Sequence, residues 1–162
     1  MYDARDKNVI AQGDEKIMVH VSNFRPLKRI IDVIKIFEKI NSKINSKLIM
    51  VGDGPEKKKA KDYLRKNNLK NRVIFVGKTN EVDKILCSSD LFLLPSEKES
   101  FGLAALEAMA LRVPVVSSNT GGLPELNIHG NSGYTSDIGD IESMASNAIK
   151  ILSDKSLKKK YG

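Results

Sequence analysis

Five short apolar runs punctuate the chain: Ile17-Met18-Val19-His20-Val21, Leu48-Ile49-Met50-Val51, Val73-Ile74-Phe75-Val76, Leu91-Phe92-Leu93-Leu94 and Val113-Pro114-Val115-Val116. Each is nearly continuous, as strands buried on both faces are. Between the runs the apolar positions recur with a period near 3.6. Ile30, Val33, Ile34, Phe37 and Ile40 share one helix face, and Asp140 is placed to cap a last helix that buries Ile141, Met144, Ala145, Ala148 and Ile151. Strands alternating with helices predict an α/β fold, a Rossmann-like, doubly wound parallel sheet with helices on both faces.

Ligands bind such sheets at the carboxyl ends of the strands. The segments there are 22–28, 52–55, 77–80, 95–101 and 117–124, and they hold the glycine-rich and unusually polar loops. The repeat Ile40-Asn41-Ser42-Lys43-Ile44-Asn45-Ser46-Lys47 falls at the opposite end and reads as a surface connection. Residues 1–15 lack a pattern and are expected to be a linker. Residues 16–152 form the predicted domain, and 153–162 are expected to be a fraying helical tail.

Composition narrows the class. The chain has 162 residues, 41% hydrophobic and 29% charged, enough for one domain with a real core. No apolar run approaches the roughly 20 residues of a membrane span, and the first residues do not resemble a signal peptide. Cys87 is the single cysteine, so no internal disulfide is possible. It is expected on a buried helix face, and a cytoplasmic location follows from the cysteine usage. The net charge of +7, from 27 basic and 20 acidic residues, favours an anionic partner. Lys57-Lys58-Lys59 and Lys158-Lys159-Lys160 carry much of the excess and read as solvated helix faces. No aromatic residue alternates with them, so no nucleic-acid partner is expected. His20 and His129 lack partners at metal-binding spacing, read as structural histidines and predict no bound metal.

The densest chemistry lies in Glu99-Ser100-Phe101-Gly102-Leu103-Ala104-Ala105-Leu106-Glu107. One carboxylate precedes a helix start and a second lies inside the helix. A helix N-terminus presents unpaired N–H groups and partial positive charge, which suits a phosphate. Were the segment helical throughout, Glu99 and Glu107 would stand roughly 12 Å apart along the axis. The carboxylates of a glycosidase stand only about 5–9.5 Å apart. Two readings stay open from spacing alone. The two glutamates grip different parts of one elongated ligand, or they are solvated groups on a core helix that buries Leu103, Leu106, Met109 and Ala110.

Ser22-Asn23-Phe24-Arg25-Pro26-Leu27-Lys28-Arg29 follows the first strand. Arg25 and Lys28 can converge on a diphosphate, or they are the basic first turn of a Pro-initiated helix. Gly52-Asp53-Gly54-Pro55 lacks the third glycine of a dinucleotide fingerprint, Lys57 standing in its place, and reads as a structural turn with Pro55 at the first helical position. Thr120-Gly121-Gly122-Leu123-Pro124-Glu125 is equally consistent with an ordinary turn and with a ligand-side loop.

Glu-Ser-Phe-Gly-Leu-Ala-Ala-Leu-Glu-Ala-Met-Ala resembles the E-x7-E signature of retaining GT-B glycosyltransferases of group 1. The resemblance implies the C-terminal half of a GT-B fold. It implies that Glu99 contacts the donor sugar and Glu107 the nucleotide ribose, with the backbone of Phe101, Gly102 and Leu103 assisting. Lys28 matches the family's diphosphate lysine. Asn23 stands where the family's arginine falls and is assigned to the donor, while Arg25 comes two residues later. Gly77 is expected to border the base. Ser-Asn-Phe-Arg-Pro-Leu-Lys-Arg, Val19-His20-Val21 and Val51-Gly52-Asp53-Gly54-Pro55-Glu56 resemble a narrower branch, the N-acetylglucosaminyl-malate synthases of bacillithiol biosynthesis. The matches cover about residues 16–152.

On that resemblance the chain is the donor-binding domain of a hexosyltransferase. Its donor would be a UDP-sugar, with UDP-N-acetylglucosamine and L-malate as the specific pair. Glu99, Arg25 and Lys28 would be catalytic, with no cofactor and no metal. A small-molecule acceptor would be held mainly by an N-terminal domain outside this sequence, so the chain alone is expected to bind nucleotide weakly and to transfer little. The alternatives are another group 1 transferase, glucosyl or mannosyl, acting on lipid or polysaccharide, and a non-catalytic nucleotide-binding module. Oligomeric state is not encoded in any of these features.

Overall fold

The structure, a computed structural model, describes residues 11–162. The apolar runs become strands: β1 (Lys16–Val21), β2 (Ser46–Val51), β3 (Val73–Gly77), β4 (Leu91–Leu94) and β5 (Val115–Ser118), joined by β6 (Gly133–Ser136). Among the described residues they form one sheet in the order β3-β2-β1-β4-β5-β6, and every pairing is parallel. The helices are α1 (Ile30–Asn41), α2 (Lys57–Lys66), α3 (Val82–Cys87), α4 (Leu103–Ala110), α5 (Leu123–Leu126), α6 (Ile141–Ser153) and α7 (Lys155–Tyr161).

Successive strand residues point to opposite faces. Met18, Leu48, Met50, Leu91 and Leu93 join the apolar faces of α1 and α6 in one core layer. Ile17, Val19, Ile49, Phe92 and Leu94 join α3 and α4 in the other. Both faces are covered, which is why these strands lack polar alternation. The expected cap of α6 is present, with Asp140 Oδ1 accepting from the Ser143 amide at 3.0 Å.

Several expectations are corrected. Cys87 is exposed rather than buried. The six-residue α3 turns Ile85 and Leu86 to the sheet, which leaves the next position facing solvent. Residues 153–162 do not fray. Asp154 caps α7 through the Ser156 and Leu157 amides, and Tyr161 is buried edge-on against Tyr134, ring centroids 5.4 Å apart. Lys158 also forms an ion pair with the buried carboxylate of Asp90. Of the expected linker, residues 1–10 lie outside the described residues. Ala11 and Glu15 are buried, and Glu15 pairs with Arg72 at 2.7 Å and with Lys47 at 3.4 Å.

Candidate functional site

The strand order turns between β1 and β4. The chain leaves β1 towards one side of the sheet and leaves β4 towards the other, so a crevice opens between the two following loops. An open cleft of about 720 Å³ lies there, lined by residues that include Asn23, Arg25, Lys28, Glu99, Phe101, Gly102, Leu103 and Glu107. Eight of the nine expected site residues therefore meet in one place, and Gly77 is not among the lining residues. It ends β3, where its carbonyl accepts from the Gly52 amide at 2.8 Å.

The loop after β1 is fixed from beneath. His20 is fully buried; its Nδ1 lies 2.8 Å from the Leu93 carbonyl and its Nε2 2.8 Å from Ser22 Oγ. A carbonyl only accepts, so Nδ1 carries the proton and Nε2 accepts from the Ser22 hydroxyl. Ser22 Oγ in turn accepts from the Phe24 amide at 3.2 Å. Burial, with a smaller push from Lys28, lowers the His20 pKa to about 4, against the opposing effects of the Leu93 bond and Glu99. The ring is a neutral structural group, as its lack of metal-spaced partners implied. Phe24, at φ 45°, is buried and meets Phe75 edge-on at 6.3 Å.

Gly52 and Gly54 explain their turn by close approach. A Cβ on Gly52 would lie 1.8 Å from the Ser22 carbonyl oxygen, and one on Gly54 2.0 Å from that of Asn23. The structural reading of this turn stands, but its cause differs. Pro55 precedes the N-cap, Glu56, and is not the first helical residue of α2.

The loop after β4 is tied to the first loop across the crevice. The Glu97 amide donates to the Leu27 carbonyl at 2.8 Å, and Arg29 Nη1 to Glu97 Oε2 at 3.3 Å. Lys28 forms an ion pair with Glu99, the side chains being 19% and 11% exposed. Ser96 is buried and donates to the same Glu99 oxygen, Oε1, at 3.0 Å. Ser118 Oγ donates to the Ser96 carbonyl at 2.5 Å. Behind Glu99 stands the glycine-rich turn, where the Gly122 amide donates to the Glu99 carbonyl at 3.3 Å. Sequence reasoning gave Ser96 and Ser118 no role and left the loop of Gly121 and Gly122 between an ordinary turn and a ligand-side loop; the polar Ser96, two residues after the β4 run, was the available signal.

Gly102 then caps α4 with φ 62°, and no side chain caps the amides of the first turn. Those N–H groups and the helix dipole leave an unneutralised positive end beside Lys28 and Arg25. Glu107 is exposed on α4 and reaches the same cleft. The alternative reading, in which α4 buries Leu103 and Leu106, is corrected: α4 packs through Ala105 and Ala108 instead. Small residues let the helix sit close to the sheet, so Leu103 stays 64% exposed and Leu106 47%, next to Phe101 at 76%.

The arrangement can hold an elongated anion: cations and a helix terminus at its centre, carboxylates for hydroxyls on either side. No group of His, Cys, Asp or Glu among the described residues is arranged to hold a metal ion. No helix among them is long and apolar enough to cross a membrane.

Known proteins share this architecture. N-acetyl-alpha-D-glucosaminyl L-malate synthase of Bacillus anthracis is 45% identical over 148 residues, covering 91% of this chain and 39% of that protein. The crystal structure of TarM superposes with a TM-score of 0.87 at 27% identity, covering 91% of this chain and 30% of TarM. Anabaena HepE in complex with UDP superposes with a TM-score of 0.84 at 25% identity, covering 91% of this chain and 42% of that one. The chain thus spans less than half the length of each. The sequence model of the family Glycosyl transferases group 1 matches residues 3–162. This chain, with its doubly wound GT-B-type sheet, belongs to the group 1 glycosyltransferase family.

Proposed function

We propose that this chain is the C-terminal, donor-binding half of a retaining glycosyltransferase that moves N-acetylglucosamine from UDP-N-acetylglucosamine to a hydroxyl of L-malate. The observation that carries the reading is the convergence of Lys28, Glu99, Glu107 and the uncapped start of α4 in one cleft at the switch point. The Bacillus anthracis relative supports the choice of donor sugar and acceptor, and HepE bound to UDP supports the nucleotide.

In this reading the diphosphate lies against the first-turn amides of α4, with Lys28 and Arg25 as its cations. Glu107 holds the ribose, Glu99 the sugar hydroxyls, and Asn23 a further donor contact. Gly77 borders the base from the same edge of the sheet. The bond between the anomeric carbon and the phosphate oxygen breaks as the acceptor oxygen bonds that carbon from the same face. The acceptor proton passes to the departing diphosphate. Lys28, Arg25 and the helix terminus stabilise the charge that develops there, so the step needs no metal. The acceptor is held by a second domain across the cleft, whose rim on this side carries the exposed Phe101 and Leu103. The reaction belongs to the cytoplasm, where sugar nucleotides are made.

Titration of UDP, UDP-N-acetylglucosamine and GDP-mannose, followed by backbone amide NMR, tests the reading. UDP-selective, saturable shifts at Gly102, Leu103 and Glu107 that weaken in Glu107→Ala support it. Stronger binding of GDP-mannose would move the chain to a different donor class within the family. Transfer to malate by a two-domain protein, with little by this chain alone, completes the test.

A further inference from the structure

Glu99 is held by two donors that differ in kind. Lys28 and Ser96 both bond Oε1, Lys28 as an ion pair and Ser96 through a neutral hydroxyl at 3.0 Å. That leaves Oε2 without a partner from either of them. A diphosphate in the cleft competes for Lys28, because a lysine ammonium is a mobile point charge on a flexible stem. Ser96 has no such competitor. It is fully buried, and its own carbonyl is fixed by Ser118 Oγ at 2.5 Å. The carbonyl of Glu99 is fixed as well, by the Gly122 amide.

We propose that Ser96 is a positioning residue that keeps the Glu99 carboxylate aimed at the donor sugar once Lys28 has turned to the diphosphate. The proposal rests on the donor-domain reading above. Without Ser96, the charge of Glu99 would lose its remaining local donor at the moment the nucleotide arrives, and the carboxylate would rotate among its rotamers. A group ordered before binding contributes more to affinity than one that must be ordered by the ligand. Ser96 touches neither substrate nor reacting atoms in this scheme; it acts through Glu99 alone.

The readout is the affinity gained by adding the sugar, measured as the ratio of UDP to UDP-N-acetylglucosamine dissociation constants. In the unsubstituted chain the sugar nucleotide is expected to bind more tightly than UDP. Ser96→Ala leaves UDP affinity within about twofold and weakens UDP-N-acetylglucosamine about tenfold, the scale of a hydrogen bond to a charged group. Ser96→Thr, which keeps the hydroxyl, restores the ratio. Ser118→Ala, one step further from the ligand, gives the same selective loss in smaller measure and guards against an Ser96 variant that fails to fold. Equal losses for both ligands would mean a merely structural role and overturn the proposal, as would an unchanged ratio. Tight UDP binding with no gain from the sugar would sink the Ser96 role while the nucleotide site stands. Binding of neither ligand would sink the donor reading and the proposal together.

Discussion

Lys28 and Glu99, separated by 71 positions in sequence, close an ion pair across the crevice between the loops after β1 and β4. The resemblance to the family assigns these two side chains to different parts of a donor, the diphosphate and the sugar. In the structure they satisfy each other. Each is more than four-fifths buried, so the pair is screened less than a surface pair. On the proposed donor reading, a nucleotide would have to break this ion pair to recruit Lys28.

A prediction with an uncommon sign follows for Glu99→Gln. Removing the carboxylate charge frees Lys28, so UDP should bind about three- to tenfold more tightly than to the unsubstituted chain. The same variant should lose the extra affinity that the sugar brings. Calorimetric titration of UDP checks the first point, and weaker UDP binding by Glu99→Gln would count against competition for Lys28.

The support behind Glu99 makes Gly121 the most sensitive position of the glycine-rich turn. Its φ is 56°, and a Cβ there would lie 1.6 Å from the Glu99 carbonyl oxygen. Gly13, at φ 63°, shares the left-handed conformation but has nothing within 4 Å of a Cβ. Alanine at Gly13 therefore meets only the conformational cost, about 1–2 kcal/mol. Gly121→Ala meets that cost plus a backbone clash. It should shift the denaturant midpoint further than Gly13→Ala and also disturb the Glu99 amide. Equal midpoints for the two variants would mean that the turn relaxes freely.

How far the sequence foretells this site depends on which signal each residue carries. The first five strands were legible as nearly continuous apolar runs, which burial on both faces explains for β1, β2, β4 and β5, while the edge strand β3 is half-buried. β6, Gly133–Ser136, was not, since Gly-Tyr-Thr-Ser carries little apolar signal and becomes a strand by pairing with β5. That Glu99, Glu107 and Lys28 share one cleft was legible from charge placed at the carboxyl ends of the strands, while the roles assigned to them come from the family resemblance. Gly121 was not legible, because its role is a close approach to the Glu99 carbonyl across the fold. Ser96 was not either, because a serine three residues before a glutamate is common and only the fold buries it beneath that carboxylate. Leu103 and Leu106 misled for a related reason: periodicity marks an apolar stripe, and here the close-packing alanines took the sheet side.

The tail offers a test of its integration. Lys158 pairs with Asp90, whose carboxylate is fully buried and also accepts from the Ile17 amide at 2.9 Å. Truncating Lys158 removes a cation that compensates a buried carboxylate. Lys158 is itself 37% exposed, so the cost is discounted to about 1–3 kcal/mol. Lys158→Ala should lower Tm by several degrees, and Lys159→Ala, an exposed neighbour, should not. Identical melting of the two variants would show that α7 contributes nothing through this pair.

Burial of a neutral His20 predicts an acid limb in the stability profile. Its folded pKa of about 4 lies below the ordinary value of 6.5 because burial disfavours the imidazolium. The unfolded chain therefore binds a proton between those two pH values while the folded chain does not, and stability rises with pH across that window. The stabilisation from a neutral His20 is complete above about pH 6.5 and is lost as pH falls towards 4, on the order of 3 kcal/mol in total. His20→Gln removes the titration while keeping a side chain that can donate to the Leu93 carbonyl and accept from Ser22. Its stability should be lower at pH 7 but flatter between pH 6.5 and 4, read from urea midpoints at half-unit intervals. Because His20 holds Ser22, and Ser22 the Phe24 amide, the same acid limb should appear in UDP affinity. A variant whose slope matches the unsubstituted chain would assign the acid limb to carboxylates instead and release His20 from the loop it underlies.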